Sequence, residues 1–343
     1  MVQSRRLQRS VLLMTIVAAV AVPAMAQDKK LVLRVADQFP QGHFMLRYAI
    51  KPWMEQVTKA TGGEVQFEHY PGEQLGKAKD FLSLVQSGVA DIVLLAPAYV
   101  SDKMPLTAVM ELPGLFENSC QGNAAYWKLA REGGLLAQKE YAPNGVRALF
   151  STMYPPYQLV SAKRKIDTPK HVEGMKLRVL SRAMDLAVSK LKGVGVRMTS
   201  PEIFEAMSRG TIDGAILSYG VAANYNVPAR YVTVGESFGS AAMLFVIGES
   251  RWAKLPDHVK KAMAEAGEMA NRNVCAEIDK EEAGELENLK KKGVTAVRWS
   301  ASDRTEVESM LMSVANEWAV EMDKRGKPGG ETLKAALAAR SSR

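Results

Sequence analysis

An arginine within a short apolar strand is the residue of this chain whose type and position best suit binding chemistry. Residues 176–180, with the sequence K-L-R-V-L, alternate as a strand does and place Arg178 on the face opposite Leu177 and Val179. A strand arginine is costly to bury without an anionic partner. Its planar fork of donors matches a carboxylate in a bidentate arrangement. The pattern indicates an anchor for a carboxylate ligand, and a solvated or acid-paired arginine at a strand end is the alternative.

Metal and catalytic signatures are scarce in the remaining sequence. There is no H-E-x-x-H motif and no P-loop. The four histidines follow no metal-ligand spacing, which favours surface or structural roles for them; they are His43, His69, His171 and His258. The sequence therefore predicts a binding protein rather than an enzyme, without a metal or a cofactor. An exported enzyme remains the alternative.

The first 26 residues have the features of an export signal. Three arginines precede an apolar run at residues 11–22 that is too short to span a bilayer, and Ala24 and Ala26 form a small-x-small cleavage site. A membrane anchor is the alternative. No lipobox cysteine lies near the cleavage site, which favours the periplasm of a bacterium with an outer membrane.

The charge of the chain argues against nucleic acid as a partner. Removal of the three signal arginines lowers the net charge from +8 to +5. The remaining basic residues are scattered among acids and form no block with interleaved aromatic residues. A mild positive balance is compatible with a small anionic ligand.

The elements that would position Arg178 form two β-α-β sets, one over residues 31–95 and one over about residues 152–240. They predict an α/β protein of two lobes, with two mostly parallel sheets joined by a hinge. Residues 27–152 and about 241–343 would form lobe 1, and residues 153–240 would form lobe 2. A helix from about residue 257 to 292 is long enough to cross both lobes. We also expect a helix at residues 123–138 and a frayed polar tail from Lys327.

The sequence contains two cysteines, Cys120 and Cys275. An exported protein can form a disulfide bond. Whether these two cysteines pair cannot be read from their spacing, so the sequence leaves the pairing open.

Short motifs in a fixed order across residues 31–300 resemble those of the TRAP-transporter solute-binding proteins of the DctP type. These motifs are Thr61-Gly62-Gly63, Tyr70-Pro71-Gly72, Gln74-Leu75-Gly76, Gly88-x-x-Asp91, Ser161-Ala162-Lys163-Arg164, Asp167-Thr168-Pro169, Gly174-Met175-Lys176-Leu177-Arg178-Val179, residues 202–207, Gly210, Asp213-Gly214 and Leu255-Pro256. Each motif is weak alone, and the ordered set is specific.

The resemblance implies a two-lobed periplasmic binding protein, here a monomer, that closes on a small ligand and delivers it to the two subunits of a TRAP permease. Transport would be driven by an ion gradient rather than by ATP. In this family the arginine of the K-x-R-V segment holds the substrate carboxylate, and that position is Arg178 here. A binding protein for an ABC importer or for a sensor is the alternative.

Departures from the family pattern bear on the ligand. Gln158 stands where members that bind sialic acid or C4-dicarboxylates often have a second arginine. Ser181 and Leu217 stand where asparagine is frequent, and Met243 falls near a position that can be glutamine. Aromatic residues are frequent on the segments that face the expected cleft; these are Tyr154, Tyr157, Tyr219, Phe238 and Phe245.

This exchange of polar for aromatic residues predicts a monocarboxylate with an apolar or aromatic body, and a sugar acid or a dicarboxylate is the alternative. The predicted ligand-binding residues are Arg178, Gln158, Ser181, Tyr154, Leu217, Tyr219, Phe238, Met243, Phe39 and Gln74.

Overall fold

The computed structural model describes residues 30–341, so the predicted signal peptide at residues 1–26 lies outside the described residues. The strands are β1 (Leu31–Ala36), β2 (Val65–Tyr70), β3 (Ile92–Leu95), β4 (Val146–Met153), β5 (Gln158–Ser161), β6 (Lys176–Val179), β7 (Val194–Arg197), β8 (Gly214–Leu217), β9 (Tyr231–Thr233), β10 (Ala242–Gly248) and β11 (Thr295–Val297). The helices are α1 (Lys51–Ala60), α2 (Phe81–Gln86), α3 (Ser119–Ala130), α4 (Arg182–Lys190), α5 (Ile203–Ser208), α6 (Tyr219–Asn224), α7 (Glu249–Trp252), α8 (Asp257–Lys291), α9 (Ala301–Lys324) and α10 (Gly329–Ser341).

Two sheets form the centres of the two lobes. The first sheet has the strand order β2-β1-β3-β10-β4, and the second has the order β11-β9-β5-β8-β6-β7. Parallel pairs join β1 to β2 and β3, and β6 to β7 and β8, as expected for β-α-β units. The sheets are nevertheless mixed, because β10 and β5 run antiparallel to their neighbours. These are the strands by which the chain returns to the first sheet and enters the second.

The long helix α8 confirms the predicted helical run and joins the two lobes. It packs on α1, α3 and β4 in the first lobe and on α6 in the second. The chain then continues into β11, which pairs in parallel with β9 of the second sheet. Residues 295–297 therefore belong to the second sheet, although the predicted boundaries place them in lobe 1. The difference arises because α8 carries the chain across to the other lobe before β11 begins.

The core of the first lobe contains stacked aromatic rings. Phe150 and Phe245 lie 4.7 Å apart between ring centroids, and Trp53 lies 5.1 Å from Phe245. Phe245 is fully buried among them, so this aromatic residue belongs to the core rather than to the cleft.

The two cysteines form a disulfide bond between α3 and α8. Their sulfur atoms are 1.99 Å apart and their Cα atoms are 4.8 Å apart. The pairing that the sequence leaves open is thereby settled for Cys120 and Cys275.

Two helical predictions differ from the structure. The predicted helix at residues 123–138 instead ends at Ala130 as α3, because Gly133 adopts φ +81° and Gly134 packs where a Cβ atom would lie 2.4 Å from Leu129 O. The tail expected to fray forms α10, whose Leu333 is buried. Gly329 allows this packing, since a Cβ atom there would lie 2.2 Å from Ala319 O.

Within residues 30–341, none of the helices combines the length and the apolar character needed to span a membrane.

Candidate functional site

Arg178 lies fully buried in β6, between β7 and β8. Its Nε donates to Met198 O over 3.1 Å, and its Nη1 donates to Ile216 O over 3.3 Å. Its Nη2 donates to Ser200 Oγ over 3.3 Å. None of these partners is charged, and Arg178 has no ion pair with any residue between 30 and 341. The contacts hold the guanidinium in place without neutralising it, which is the condition for binding an anion.

The Arg178 guanidinium lies where the two lobes meet. Ser200, which accepts from Arg178, also donates its backbone N–H to the Tyr99 hydroxyl over 2.9 Å. The hydroxyl oxygens of Tyr99 and Ser200 are 3.2 Å apart. Tyr99 belongs to the 3₁₀ turn Pro97–Val100 that follows β3 of the first sheet, and Ser200 follows β7 of the second. Arg178 therefore contacts the second lobe directly through Ser200, and it is linked through Ser200 to Tyr99 of the first lobe.

A chain of aromatic rings leads to Tyr157, which lies within reach of the Arg178 charge. The ring centroids of Phe44 and Tyr154 are 5.1 Å apart, and those of Tyr154 and Tyr157 are 6.4 Å apart. Burial raises the pKa of Tyr157 well above its usual value, and the nearby Arg178 charge opposes this shift. His43 stacks on Phe39 at 4.2 Å. Among residues 30–341, these rings form a connected apolar surface that reaches the buried Arg178 through Tyr157.

His43 is neutral and has a defined tautomer. Its pKa is held well below the ordinary value, first by burial and second by the charge of Arg47. Its Nδ1 accepts from Met45 N over 3.1 Å, so the proton of the neutral ring is on Nε2. This Nε2 is buried and has no partner among the described residues, and the same is true of Gln38 Oε1 and of the Tyr154 hydroxyl.

A second polar pair, Glu111 and Ser181, lies within reach of the Arg178 charge. Glu111 is buried at the end of the 3₁₀ segment Leu106–Glu111, and its Oε1 accepts from Ala242 N over 3.1 Å. Ser181 faces the Glu111 carboxyl. Ser181 Oγ and Glu111 Oε2 nevertheless complete no hydrogen bond within the described part of the chain. Buried polar atoms are rarely left unpaired, so this pair is a candidate ligand contact.

A groove of about 380 Å³ between the lobes reaches Ser181. Arg182 on its wall pairs with Glu321 of α9 over 2.9 Å. Arg197 of the second lobe donates to Ser101 Oγ of the first lobe over 3.5 Å. The groove thus brings solvent-filled space up to Ser181, while the Ser181 hydroxyl oxygen itself is buried.

The structure brings together only some of the predicted ligand-binding residues. Arg178 and Ser181 lie at the lobe junction with Tyr154. Phe39 stacks on His43 in the same wall, and Met243, at the first-lobe side, is buried in β10 beside Thr152 of β4.

The other predicted residues are engaged elsewhere. Gln158 Oε1 accepts from Thr233 Oγ1 over 3.1 Å and from Glu236 N over 3.3 Å. The Tyr219 hydroxyl donates to Thr233 O over 2.6 Å.

Three more predicted residues also have other surroundings. Phe238 packs edge-on against Trp299 at 5.8 Å in the core of the second lobe. Leu217 is fully buried in β8 opposite Gln158, and Gln74 is exposed. Their role in ligand binding stays a prediction, and none of the described contacts supports it.

The sequence reasoning missed Glu111, Gln38, Tyr99 and Ser200, and it assigned His43 a surface or structural role. The sequence signal for Glu111 was its position inside an apolar run, M-E-L-P, where a carboxylate is unusual. For His43 the signal was its place in the polar loop directly after β1, at the carboxyl end of a parallel strand. Among residues 30–341 no cluster of three or more metal-ligating side chains is found.

Residues 235–239 match the G-x-S-x-G spacing of hydrolase nucleophiles. That motif requires a strand before the serine and a helix after it. Here β9 ends at Thr233 and the next element is the strand β10. Ser237 Oγ accepts from Gly114 N over 3.1 Å, so this hydroxyl holds a loop of the first lobe.

Comparison with known proteins shows what this arrangement is similar to. The model of the family described as bacterial extracellular solute-binding protein, family 7 (DctP), matches residues 35–321. The C4-dicarboxylate-binding periplasmic protein DctP of Rhodobacter capsulatus is 27% identical over 337 residues, with 94% of each chain covered.

Two solved structures share the fold. A TRAP solute-binding protein from Rhodoferax ferrireducens, in complex with copurified benzoate, has a TM-score of 0.83 and 23% identity over 91% of this chain and 98% of that one. A marine metagenome TRAP solute-binding protein with 3-hydroxybenzoate has a TM-score of 0.83 and 21% identity over the same shares. The family match, which covers most of the chain, identifies this protein as a member of the DctP family of extracellular solute-binding proteins of TRAP transporters.

Proposed function

We propose that this chain is a periplasmic protein that captures an aromatic monocarboxylate with Arg178 and delivers it, as a monomer, to a TRAP permease driven by an ion gradient. The observation that carries the proposal is the buried Arg178 guanidinium, which has oriented neutral contacts and no carboxylate partner between residues 30 and 341. A ligand carboxylate would supply the missing charge through a bidentate pair.

The rings beside Arg178 favour an aromatic body for the ligand. The Tyr154 ring contacts both the Phe44 ring and the Tyr157 ring, and aromatic pairs add stability beyond the area they bury. The two solved structures with the same fold hold benzoate and 3-hydroxybenzoate. A dicarboxylate would need a second cation in this wall, and the residues described there are aromatic or neutral.

Three unpartnered atoms give the ligand site a polar end. His43 Nε2–H can only donate, Gln38 Oε1 can only accept, and the Tyr154 hydroxyl can do both. A hydroxyl group on the ring of the ligand can both donate and accept. This favours a hydroxylated aromatic acid over an unsubstituted one.

A screen of organic acids by thermal shift, followed by calorimetry, tests the proposal. We expect aromatic monocarboxylates to raise the melting temperature most, because a ligand that binds only the folded state stabilises it by mass action. Stabilisation by C4-dicarboxylates or sugar acids alone would contradict the proposed ligand class. Recovery of the acid unchanged after incubation supports binding without catalysis, and appearance of a product would contradict it.

Genome context tests the partner. Neighbouring genes for a large and a small permease subunit, without an ATPase, support delivery to a TRAP permease. A neighbouring ATPase gene would support an ABC importer instead.

A further inference from the structure

Glu111 is placed at the junction between the lobes. Its Oε1 accepts from Ala242 N, the first residue of β10, over 3.1 Å. Its backbone carbonyl lies against Gly239, where φ is +126° and a Cβ atom would come within 2.5 Å of Glu111 O. The carboxyl thus accepts a hydrogen bond from the strand that returns from the second lobe, and the backbone of Glu111 packs closely on Gly239.

The Glu111 carboxyl lies near Ser181 and within reach of the Arg178 charge. Glu111 Oε2 and Ser181 Oγ are both buried and unpartnered within the described residues. Ser181 begins α4 directly after β6, the strand that carries Arg178. The groups that act electrostatically with Glu111 are Arg178, Tyr157 and Tyr126. Arg178 is the cation among them.

Burial raises the pKa of Glu111 to about 7; contacts with Ser181, Ala242 N and the Arg178 charge oppose the rise. A ligand carboxylate on Arg178 would cancel this favourable charge and add a like charge. Both changes disfavour ionised Glu111. An ionised Glu111 can only accept, for example from the Ser181 hydroxyl, whereas a protonated Glu111 can also donate from Oε2 to an oxygen of the ligand carboxylate.

We propose that Glu111 takes up a proton when the ligand carboxylate binds to Arg178, so that the site captures the anion together with H⁺. The proposal rests on the proposed function of Arg178 as the carboxylate anchor. Apparent affinity then falls as pH rises above about 7, approaching tenfold per pH unit once a full proton is taken up.

Calorimetry can count the protons that the full mature chain takes up when it binds benzoate. The titration is repeated at about pH 8 in buffers of different ionisation enthalpy, because the observed enthalpy changes with the buffer in proportion to the number of protons taken up. We expect uptake approaching one proton per ligand for the wild-type protein. The Glu111→Gln variant keeps the Oε1 acceptor, and the benzoate binding that remains in it, at whatever affinity, should show almost no proton uptake and a flat pH profile. Glu140→Gln is the matched control, because Glu140 is also buried, also has a pKa of about 7, and instead accepts from Leu106 N and Thr107 N. It should keep the proton uptake.

Infrared difference spectra of the wild-type protein give an independent readout that needs no variant. Ligand binding should produce a new band of a protonated carboxyl group. Binding without proton uptake, or uptake that survives in folded Glu111→Gln, would overturn the proposal and leave the proposed function standing. Absence of binding by benzoate and by every other aromatic acid of the screen would overturn both.

Discussion

Glu282, within α8, holds the first turn of α6 in the second lobe. Its Oε1 accepts from Tyr219 N over 2.7 Å and its Oε2 accepts from Gly220 N over 2.8 Å. A carboxylate at a helix N-terminus satisfies free N–H groups and complements the helix dipole. Two backbone N–H groups of α6 therefore donate to the one side chain of Glu282, and these hydrogen bonds connect the long helix to the lobe that carries Arg178.

This contact makes stability depend on pH. Burial raises the pKa of Glu282 to about 7, and the hydrogen bonds from Gly220 and Tyr219 oppose the rise. The unfolded value is about 4.3, so the folded state holds the proton more tightly. The stability that arises from this difference in the pKa of Glu282 is fully present below about pH 4.3, and it is lost as the pH rises to about 7. Urea unfolding of the ligand-free protein should therefore show a loss of stability over this window.

The Glu282→Gln variant should lose this component of the pH dependence, because glutamine does not titrate. Glu277→Gln, an exposed position on the same helix, should retain it. Equal pH profiles for the wild type and Glu282→Gln would contradict the assignment.

Replacement of Arg178 should abolish tight ligand binding. Arg178→Ala leaves the ligand carboxylate and two backbone carbonyls without their donor, at a cost of about 3–5 kcal/mol, which corresponds to about two to three decades in affinity. Calorimetry measures the loss, and circular dichroism checks that the variant is folded.

Arg209→Ala is the control for this substitution, because Arg209 is exposed and, among residues 30–341, forms its ion pair with Glu205 four residues earlier. Its affinity should match that of the wild type. Wild-type affinity in Arg178→Ala would show that another residue is the anchor.

The polar end of the site should discriminate between aromatic acids. Tyr154→Phe removes only a hydroxyl group and keeps the ring beside Phe44. We expect about a tenfold loss of affinity for 3-hydroxybenzoate, equivalent to one hydrogen bond, and little change for benzoate. Competition calorimetry with the two acids measures the difference. An equal loss for both acids would show that the ring position, rather than the hydroxyl, matters.

The disulfide bond should contribute to stability and not to ligand affinity. The chain-entropy model gives about 5 kcal/mol for a loop of this length, which joins residues 155 positions apart. The double variant Cys120→Ala, Cys275→Ala should therefore unfold at lower urea concentration. Its affinity for the same acid should be unchanged, since both cysteines lie on α3 and α8, away from Arg178.

The fold and the unusual position of Arg178 on a strand were predictable for identifiable reasons. The β-α-β units and α8 follow from periodic apolar patterns, and Arg178 was recognisable because a strand arginine is uncommon. The helix α10 was not predicted, because its packing depends on the absence of a side chain at Gly329 and on N–H contacts to Asp323. Such close approaches leave no periodic pattern in the sequence.

The remaining site residues depend on contacts between distant segments. The position of Gln158 in the sequence predicted a residue of the cleft. In the structure, however, its amide oxygen accepts hydrogen bonds from Thr233 and Glu236, some 75 residues later. Glu111 and Ser181 are brought together by two different lobes. Neither relationship can be read from the spacing of residues along one strand or helix.

The bond between Cys120 and Cys275 closes a covalent ring that contains all the strands of the second sheet except β11. The exposed basic run Lys163, Arg164 and Lys165 lies within that ring. A protease that cuts there opens the ring but releases no fragment, since both new pieces remain joined through α3 and α8. The protein can therefore be cut once in this run and still keep its two parts covalently joined.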